Sequence, residues 1–389
     1  MKVIICVTGS GTGGHTKSAS ATAKSLQENG VDILVLSTPN TILNDFQVNK
    51  IPTAKLKRWN PLSKDNLVDE LKTLKYDTLH FFGTARLAIN FALAANEVGM
   101  TFCLTIPGGT PHKTLCGFRY VAAFTDEISY EVKENEKIEL KVMPARCLFH
   151  RNMRLQKKTL TRKATQKYLN NIYQIDYSKK IIGKIARCSS QYDKEIIQTA
   201  KDIFNLNKET SNDVYFIHAG SKFSLRSAIK INFYFYYLNF KGKQKRFISL
   251  QRDFKNIWRL SSVFDYQVAA GRSALEAIKY QNIVIQSDYK GKYCILDEST
   301  SEFFKQKNFS GRCASDLSKH FYPLKYLINT KPDIKQLYKS ITDEYDYKKS
   351  GPFYLNYYSE LSQRDDINFT EYVYSFKSSL KIFIKSFLV

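Results

Sequence analysis

The sequence predicts an α/β protein of two tandem Rossmann-like, doubly wound domains with a cleft between them, and three observations predict it. Short apolar runs alternate with amphipathic segments through the first 150 residues, the pattern of a parallel sheet flanked by helices. A second alternating set begins at Lys180. Each set holds a strand that passes through a glycine turn into a helix, GSGTGGHT at 9–16 and AAGRSALEA at 269–277. The 389 residues suffice for two domains of roughly 100–200 residues each.

In the first set the candidate strands are 3–8, 32–37, 78–82, 101–106, 127–130 and 140–143, with candidate helices at 16–29, 64–74, 85–98 and 115–123. Gly30 supplies the stop for the first helix. A basic, polar stretch from Arg151 to Lys180 lacks a strong apolar face and reads as an exposed connector or surface helix, with anionic headgroups as its second candidate role. The next set runs from the strand KIIGKIAR at 180–187 through a helix near 190–204, a strand at 214–217, an aromatic run at 229–240 and a segment at 247–250. A helix leading to a strand at 257–268, a turn and helix from 269, and a strand at 283–285 complete it. The expected borders are 1–165, 166–350 and a C-terminal helical segment 351–389 that packs back across the domains or onto a membrane face.

Glycines between strand and helix let the backbone take positive φ and approach a ligand, while the helix start presents unpaired N–H groups to an anion. In 9–16 three chemistries compete. Gly9, Gly11 and Gly14 satisfy the dinucleotide spacing G-x-G-x-x-G, but the second strand, Ile33 to Leu36, ends in Ser37, Thr38 and Pro39 without the acid that holds a ribose. The phosphate-loop pattern is nearly met, with His15 where a lysine belongs. The third reading is a resemblance: SGTGGH is similar to the GGTGGH turn of the peptidoglycan N-acetylglucosaminyltransferases and plant galactolipid synthases, with Ser10 for the first glycine, and it keeps His15 within the motif. A tight turn without a ligand is the plain alternative.

Composition sets bounds. Lys and Arg number 59 against 36 Asp and Glu, a formal charge of +23, which favours phosphorylated substrates, an anionic membrane face or nucleic acid. Richness in Lys, Asn, Ile, Tyr and Phe throughout is an alternative, compositional source of that charge. Seven cysteines form no C-x-x-C pair and no cluster with histidine, so neither zinc nor a disulfide framework is expected. No run approaches the roughly 20 apolar residues of a membrane span, and no leader-like segment opens the chain. A cytoplasmic protein is expected.

The block GRSALEAIKYQNIVI at 271–285 resembles the donor-site signature of GT-B-fold glycosyltransferases, especially family 4. A small-residue turn opens a helix containing Leu-Glu-Ala and a strand follows. Helix-start amides hold a diphosphate, and a carboxylate one turn in accepts hydrogen bonds from ribose hydroxyls. The resemblance implies that Glu276 is the ribose ligand and that Gly271, Arg272 and Ser273 lie at the diphosphate. A solvated helix carboxylate is the plain reading of Glu276. IIGKIAR resembles the segment that supplies basic residues, so Lys184 and Arg187 are candidates to stabilise the departing diphosphate, against an ordinary exposed basic pair. Thr105 to Gly109 resembles the acceptor-side loop and Thr125 to Ser129 the next strand. Two departures stand out: family 4 enzymes commonly carry an acid eight positions before the glutamate, where this chain has Val268, and a histidine after the acceptor strand, where it has Pro107.

The resemblance thus implies transfer of a sugar from a nucleotide diphosphate sugar to a hydroxyl of a glycan or lipid-linked glycan, in bacterial surface polysaccharide synthesis, with no metal or other cofactor. His15 and His112 are the candidate catalytic residues, beside a glycine turn of Gly11, Gly13 and Gly14. Lys377, Lys381 and Lys385 recur every four residues between Ile, Phe and Leu, which suits a helix on the anionic inner face of a membrane. Two rivals are kept. A sugar-nucleotide 2-epimerase shares the fold and donor pocket, but no acid-base set for it is apparent. A nucleic-acid-binding protein fits the charge, but lacks a basic stripe interleaved with aromatics and leaves the glycine turns unexplained.

Overall fold

In a computed structural model the chain divides into two compact units, residues 1–148 with 345–389, and residues 149–344. Described are residues 1–8, 14–41, 43–58, 60, 63–83, 85–107, 120–124, 139–142, 155–210, 213–251, 257–288, 290–309 and 318–362.

The first unit runs β1 (Lys2–Val7), α1 (Gly14–Glu28), β2 (Asp32–Ser37), α2 (Asn44–Val48), β3 (Thr53–Lys55), α3 (Asp65–Leu74), β4 (Thr78–Phe82), α4 (Ala85–Glu97), β5 (Thr101–Ile106), β6 (Tyr120–Ala123) and β7 (Glu139–Val142). The sheet order is β3-β2-β1-β4-β5-β6-β7, and every pairing is parallel. Covered parallel strands need apolar residues on both faces, and β1 supplies them. Ile4 and Cys6 enter one core cluster while Val3, Ile5 and Val7 enter the other.

The helix expected at 115–123 is corrected where it is described: Tyr120–Ala123 is a strand between β5 and β7. Val121 and Ala123 enter one core cluster and Ala122 the other. A short run buried on both sides carries no period that separates strand from helix. The expected strand at 127–130 lies outside the described residues.

The second unit runs α5 (Leu155–Tyr173), β8 (Lys180–Ile185), α6 (Asp193–Glu209), β9 (Val214–Ala219), α7 (Leu225–Gly242), β10 (Phe247–Leu250), a 3-10 turn at 257–263, β11 (Tyr266–Val268), α8 (Arg272–Lys279), β12 (Ile283–Ser287), β13 (Tyr293–Ile295), α9 (Ser301–Gln306), α10 (Leu324–Leu327) and α11 (Lys335–Glu344). Its order, β10-β9-β8-β11-β12-β13, repeats that of the first six strands of unit one, with β13 antiparallel at the edge. The connector read at 151–180 is helical over α5, and Leu169 with Tyr173 packs into this unit's core. The contact boundary therefore falls before that helix, at 148/149, where the sequence reading drew 165/166.

The last described helix, α12 (Ser350–Ser362), belongs to the first unit. Tyr354, Tyr357, Tyr358 and Leu361 join the cluster of Val3, Ile5 and Val7. Burying large side chains of this kind is worth roughly 1.5–3 kcal/mol each. A polar pin fixes the docking: buried His80 on β4 meets the Tyr358 hydroxyl at 2.5 Å and the Thr105 hydroxyl at 2.7 Å, and Thr105 meets the Tyr354 hydroxyl at 2.9 Å. Lys377, Lys381 and Lys385 lie outside the described residues.

Candidate functional site

In open parallel sheets of this order, ligands bind beyond the carboxyl ends of the strands, where the strand order reverses direction. In the second unit that point lies between β8 and β11. Tyr266 pairs with Ile182 and Gln267 with Gly183; beyond them Ala186 and Cys188 follow β9, bonding to Ala219 and Ser221, while Ala269 bonds to Ile285 of β12. The two short blocks singled out in the sequence thus leave neighbouring strands at one edge. Gly183 permits the pairing, since a Cβ there would lie 2.0 Å from the Phe264 ring.

Gly271 caps α8 with φ +56 and ψ −130, a conformation that side chains with a Cβ avoid. Its N–H donates to the Phe309 carbonyl, which Gln286 Nε2 also reaches at 2.7 Å. Ser273 closes the same turn: its hydroxyl donates to the Ala270 carbonyl at 2.8 Å and accepts from the Ala270 N–H at 3.1 Å. The turn is held from both sides before any ligand arrives.

Glu276 follows one turn into α8. Its side chain is 12% exposed, with Arg272 Nε at 3.7 Å and Lys279 Nζ at 4.0 Å. It is a half-enclosed carboxylate between two cations, not a solvated one. Both contacts exceed hydrogen-bond length, and they balance its charge. Val268, at the position of the missing family acid, is a buried core residue of β11.

The two basic candidates on β8 and its exit diverge. Lys184 is buried and its Nζ lies 2.8 Å from Glu195 Oε1, each side chain 4% exposed. The pair expected to be exposed, or to face phosphates, has one member neutralised inside the domain. Arg187 is exposed; its guanidinium lies 4.7 Å from the centroid of Phe223 and 5.9 Å from that of Tyr192, with Gln191 Oε1 at 3.4 Å. Stacking of this kind orients a guanidinium while leaving its charge available. Buried His218 on β9 donates from Nε2 to the Ala186 carbonyl at 2.9 Å, bracing the strand exit that carries Arg187. Burial holds its pKa down at about 4, below the ordinary 6.5.

In the first unit β1 lies at that sheet's own reversal point, between β2 and β4. Gly14 opens α1. His15 Nε2 donates to the Thr8 carbonyl at 3.1 Å, tying the first turn of the helix to the end of the strand. Gly11, Gly13 and His112 lie outside the described residues, as do Gly108 and Gly109 of the acceptor-side loop.

The sequence did not point to the carbonyl of Phe309 as the anchor of the Gly271 turn. Asn308 and Phe309 adopt φ +48 and +55 without the glycine that advertises such a bend. Arg272 and Lys279 were legible in principle, since they sit four before and three after Glu276 on one helix face. Among the described residues no group of three or more His, Cys, Asp or Glu is placed to hold a metal, and no helix is long and apolar enough to cross a membrane.

No protein-family model and no curated protein sequence matches the chain. Solved structures do. A glycosyltransferase from Rickettsia africae superposes with TM-score 0.65 at 16% identity, over 94% of this chain and 99% of its own. Anabaena HepE in complex with UDP and glucose superposes with TM-score 0.62 at 13% identity, over 92% and 100%, and S. aureus MnaA with UDP with TM-score 0.54 at 14%, over 94% and 98%. At such identities the likeness is one of fold, and it is to GT-B structures: the chain carries two Rossmann-like domains in tandem.

Proposed function

We propose that the protein is a glycosyltransferase that moves a hexosyl group from a nucleotide diphosphate sugar to a hydroxyl of a glycan or lipid-linked glycan. The observation that carries this reading is the position of the GRSALEA block. It forms the turn and helix at the reversal point of the second sheet, with Glu276 held between Arg272 and Lys279 one turn in. Fold neighbours that bind UDP, or UDP with glucose, support the same donor class.

In this reading Glu276 accepts from the ribose hydroxyls. The diphosphate meets the amides of Arg272 and Ser273, because that of Gly271 is given to Phe309. Arg187 stands at the leaving group, where a fixed cation in a water-poor site lowers the barrier by stabilising the charge that develops. His15 and His112 remain the candidates for the acceptor side, and no metal is needed. The family 4 resemblance implies retention at the anomeric carbon and the GGTGGH resemblance inversion. The setting is bacterial surface polysaccharide synthesis at the inner face of a membrane.

The test is thermal unfolding with a panel of nucleoside diphosphates and nucleotide sugars, on the intact protein, Glu276→Ala and Glu276→Gln. A ligand at 100 times its Kd stabilises by about 2.7 kcal/mol. We expect a rise in Tm with UDP or GDP for the parent and its loss in both variants, whose ligand-free Tm stays near the parent's. No rise with any nucleotide, and a salt-sensitive rise with oligonucleotides, overturns the reading.

A further inference from the structure

The second unit carries a helix whose outer face is apolar. On α7, Leu225, Ile229, Phe233, Tyr236 and Phe240 are 59 to 76% exposed, while Ala228, Ile231, Phe235 and Leu238 face the core. At 3.6 residues per turn the five exposed side chains fall within about 80° of arc along a helix about 27 Å long. Isolated exposed apolar residues need no explanation, but a continuous stripe does.

The charge around this stripe has one sign. The helix contains no Asp or Glu. Arg226, Lys230 and Lys241 occupy the sector beside the stripe, within about 60° of one another, and Lys243 and Lys245 follow at the helix end, all exposed. Among the described residues the acid that meets this face is Asp193 of α6, 3.5 Å from Lys230 Nζ; Tyr237, between the cations, lies under Lys241 at 5.7 Å.

We propose that α7 docks the chain on an anionic bilayer surface. Leu, Ile and Phe enter the acyl boundary, the tyrosine hydroxyls stay at headgroup level, and the flanking cations meet lipid phosphates, the division of labour of a helix lying in the interface plane. Cations beside such a surface add to the attraction and make it salt-sensitive. A second copy of the chain is a poorer occupant, because a two-fold contact sets the same patch on itself and opposes one basic flank to another. This inference rests on the membrane-facing reading above, and moves its contact from the C-terminal segment to α7; it does not require the donor assignment.

The experiment is flotation of the full chain with vesicles of phosphatidylglycerol and phosphatidylcholine in equal parts, and with phosphatidylcholine alone. Phe233→Ser/Tyr236→Ser/Phe240→Ser tests the stripe, Arg226→Glu/Lys241→Glu the flank, and Lys377→Glu/Lys381→Glu/Lys385→Glu the C-terminal segment. We expect salt-sensitive flotation of the parent with the anionic vesicles, at least about tenfold weaker binding in the first two variants, and an unchanged Tm rise with UDP in all three. The UDP response reads the donor site separately, so its loss in the parent with flotation intact sinks the function and not the docking. No flotation of the parent, equal flotation of the stripe variant, or loss confined to the C-terminal variant overturns the proposal. So does a parent that sediments as a dimer, fails to float, and becomes monomeric in the stripe variant.

Discussion

Helices α1 and α7 invert the usual rule of burial. Helix α1 is built of Ser, Thr and Ala, yet Thr16, Ser18, Ser20, Thr22 and Ser25 are buried, while α7 turns phenylalanine and leucine to solvent. The difference lies in who the neighbours are. Helix α1 is covered by α12, which closes down through Gly351; a Cβ there would meet Ser25 Oγ at 2.7 Å and Asn29 Nδ2 at 2.6 Å. Such close approach demands small residues, and their hydroxyls find partners locally. Ser25 donates to the Lys348 carbonyl and accepts from the Gly351 N–H, and Ser20 donates to the Asp45 carbonyl. In α7 the inner face packs on the core through Ala228, Ile231, Phe235 and Leu238, and the exposed outer face is the one proposed to meet a bilayer. Polarity inside and apolarity outside are thus both specific to position.

The strongest way to break the inside half of that comparison is at Lys184 and Glu195. Removing one member of a buried pair leaves an uncompensated charge, which costs about 3–5 kcal/mol, whereas replacing both with apolar residues is often neutral. Lys184→Met is expected to unfold at much lower denaturant, and Lys184→Met/Glu195→Leu to recover. The double variant also separates structure from function, because UDP binding in the recovered protein assigns Lys184 a structural role, and lost binding returns it to the donor phosphates.

The two buried histidines come next. Burial holds His80 at about 3 and His218 at about 4, both below the unfolded 6.5. Above pH 6.5 neither state carries the proton and the stabilisation is complete. As pH falls, the unfolded chain binds protons that the folded chain refuses, so stability declines toward the folded values. At pH 5 each histidine costs about 2 kcal/mol. Urea unfolding at pH 7 and pH 5 checks this, with His218→Gln removing about half of the decline.

The doubly wound architecture was legible because the central parallel strands β1, β4 and β5 are compact apolar runs, and the turn into α8 because Gly271, Arg272 and Glu276 are close in sequence. Strand β6 was not legible, since Val121 to Ala123 has no solvent face to set a period. The Lys184–Glu195 pair joins a strand to the next helix, 11 residues apart, and nothing local signals that both charges go inside. The run 229–240 was read as apolar, but sequence alone does not say which of two apolar faces is covered.

The finest test sets Ser25→Leu against Phe233→Ser. Hydropathy alone expects the first to stabilise a helix and the second to weaken one. The packing predicts that the first destabilises and the second is near neutral, because the larger side chain in place of Ser25 would have to displace Gly351 and Lys348 from contact, and overpacking a filled site costs about 1–3 kcal/mol. Phe233 is 71% exposed, and its loss to water is expected to change stability by no more than about 0.5 kcal/mol. Chemical denaturation of the two variants beside the parent reads both. A Phe233→Ser chain that unfolds about 2 kcal/mol or more early, on the scale of a buried side chain, would mean that the outer face of α7 is part of the fold, and the vesicle surface would lose its claim to it.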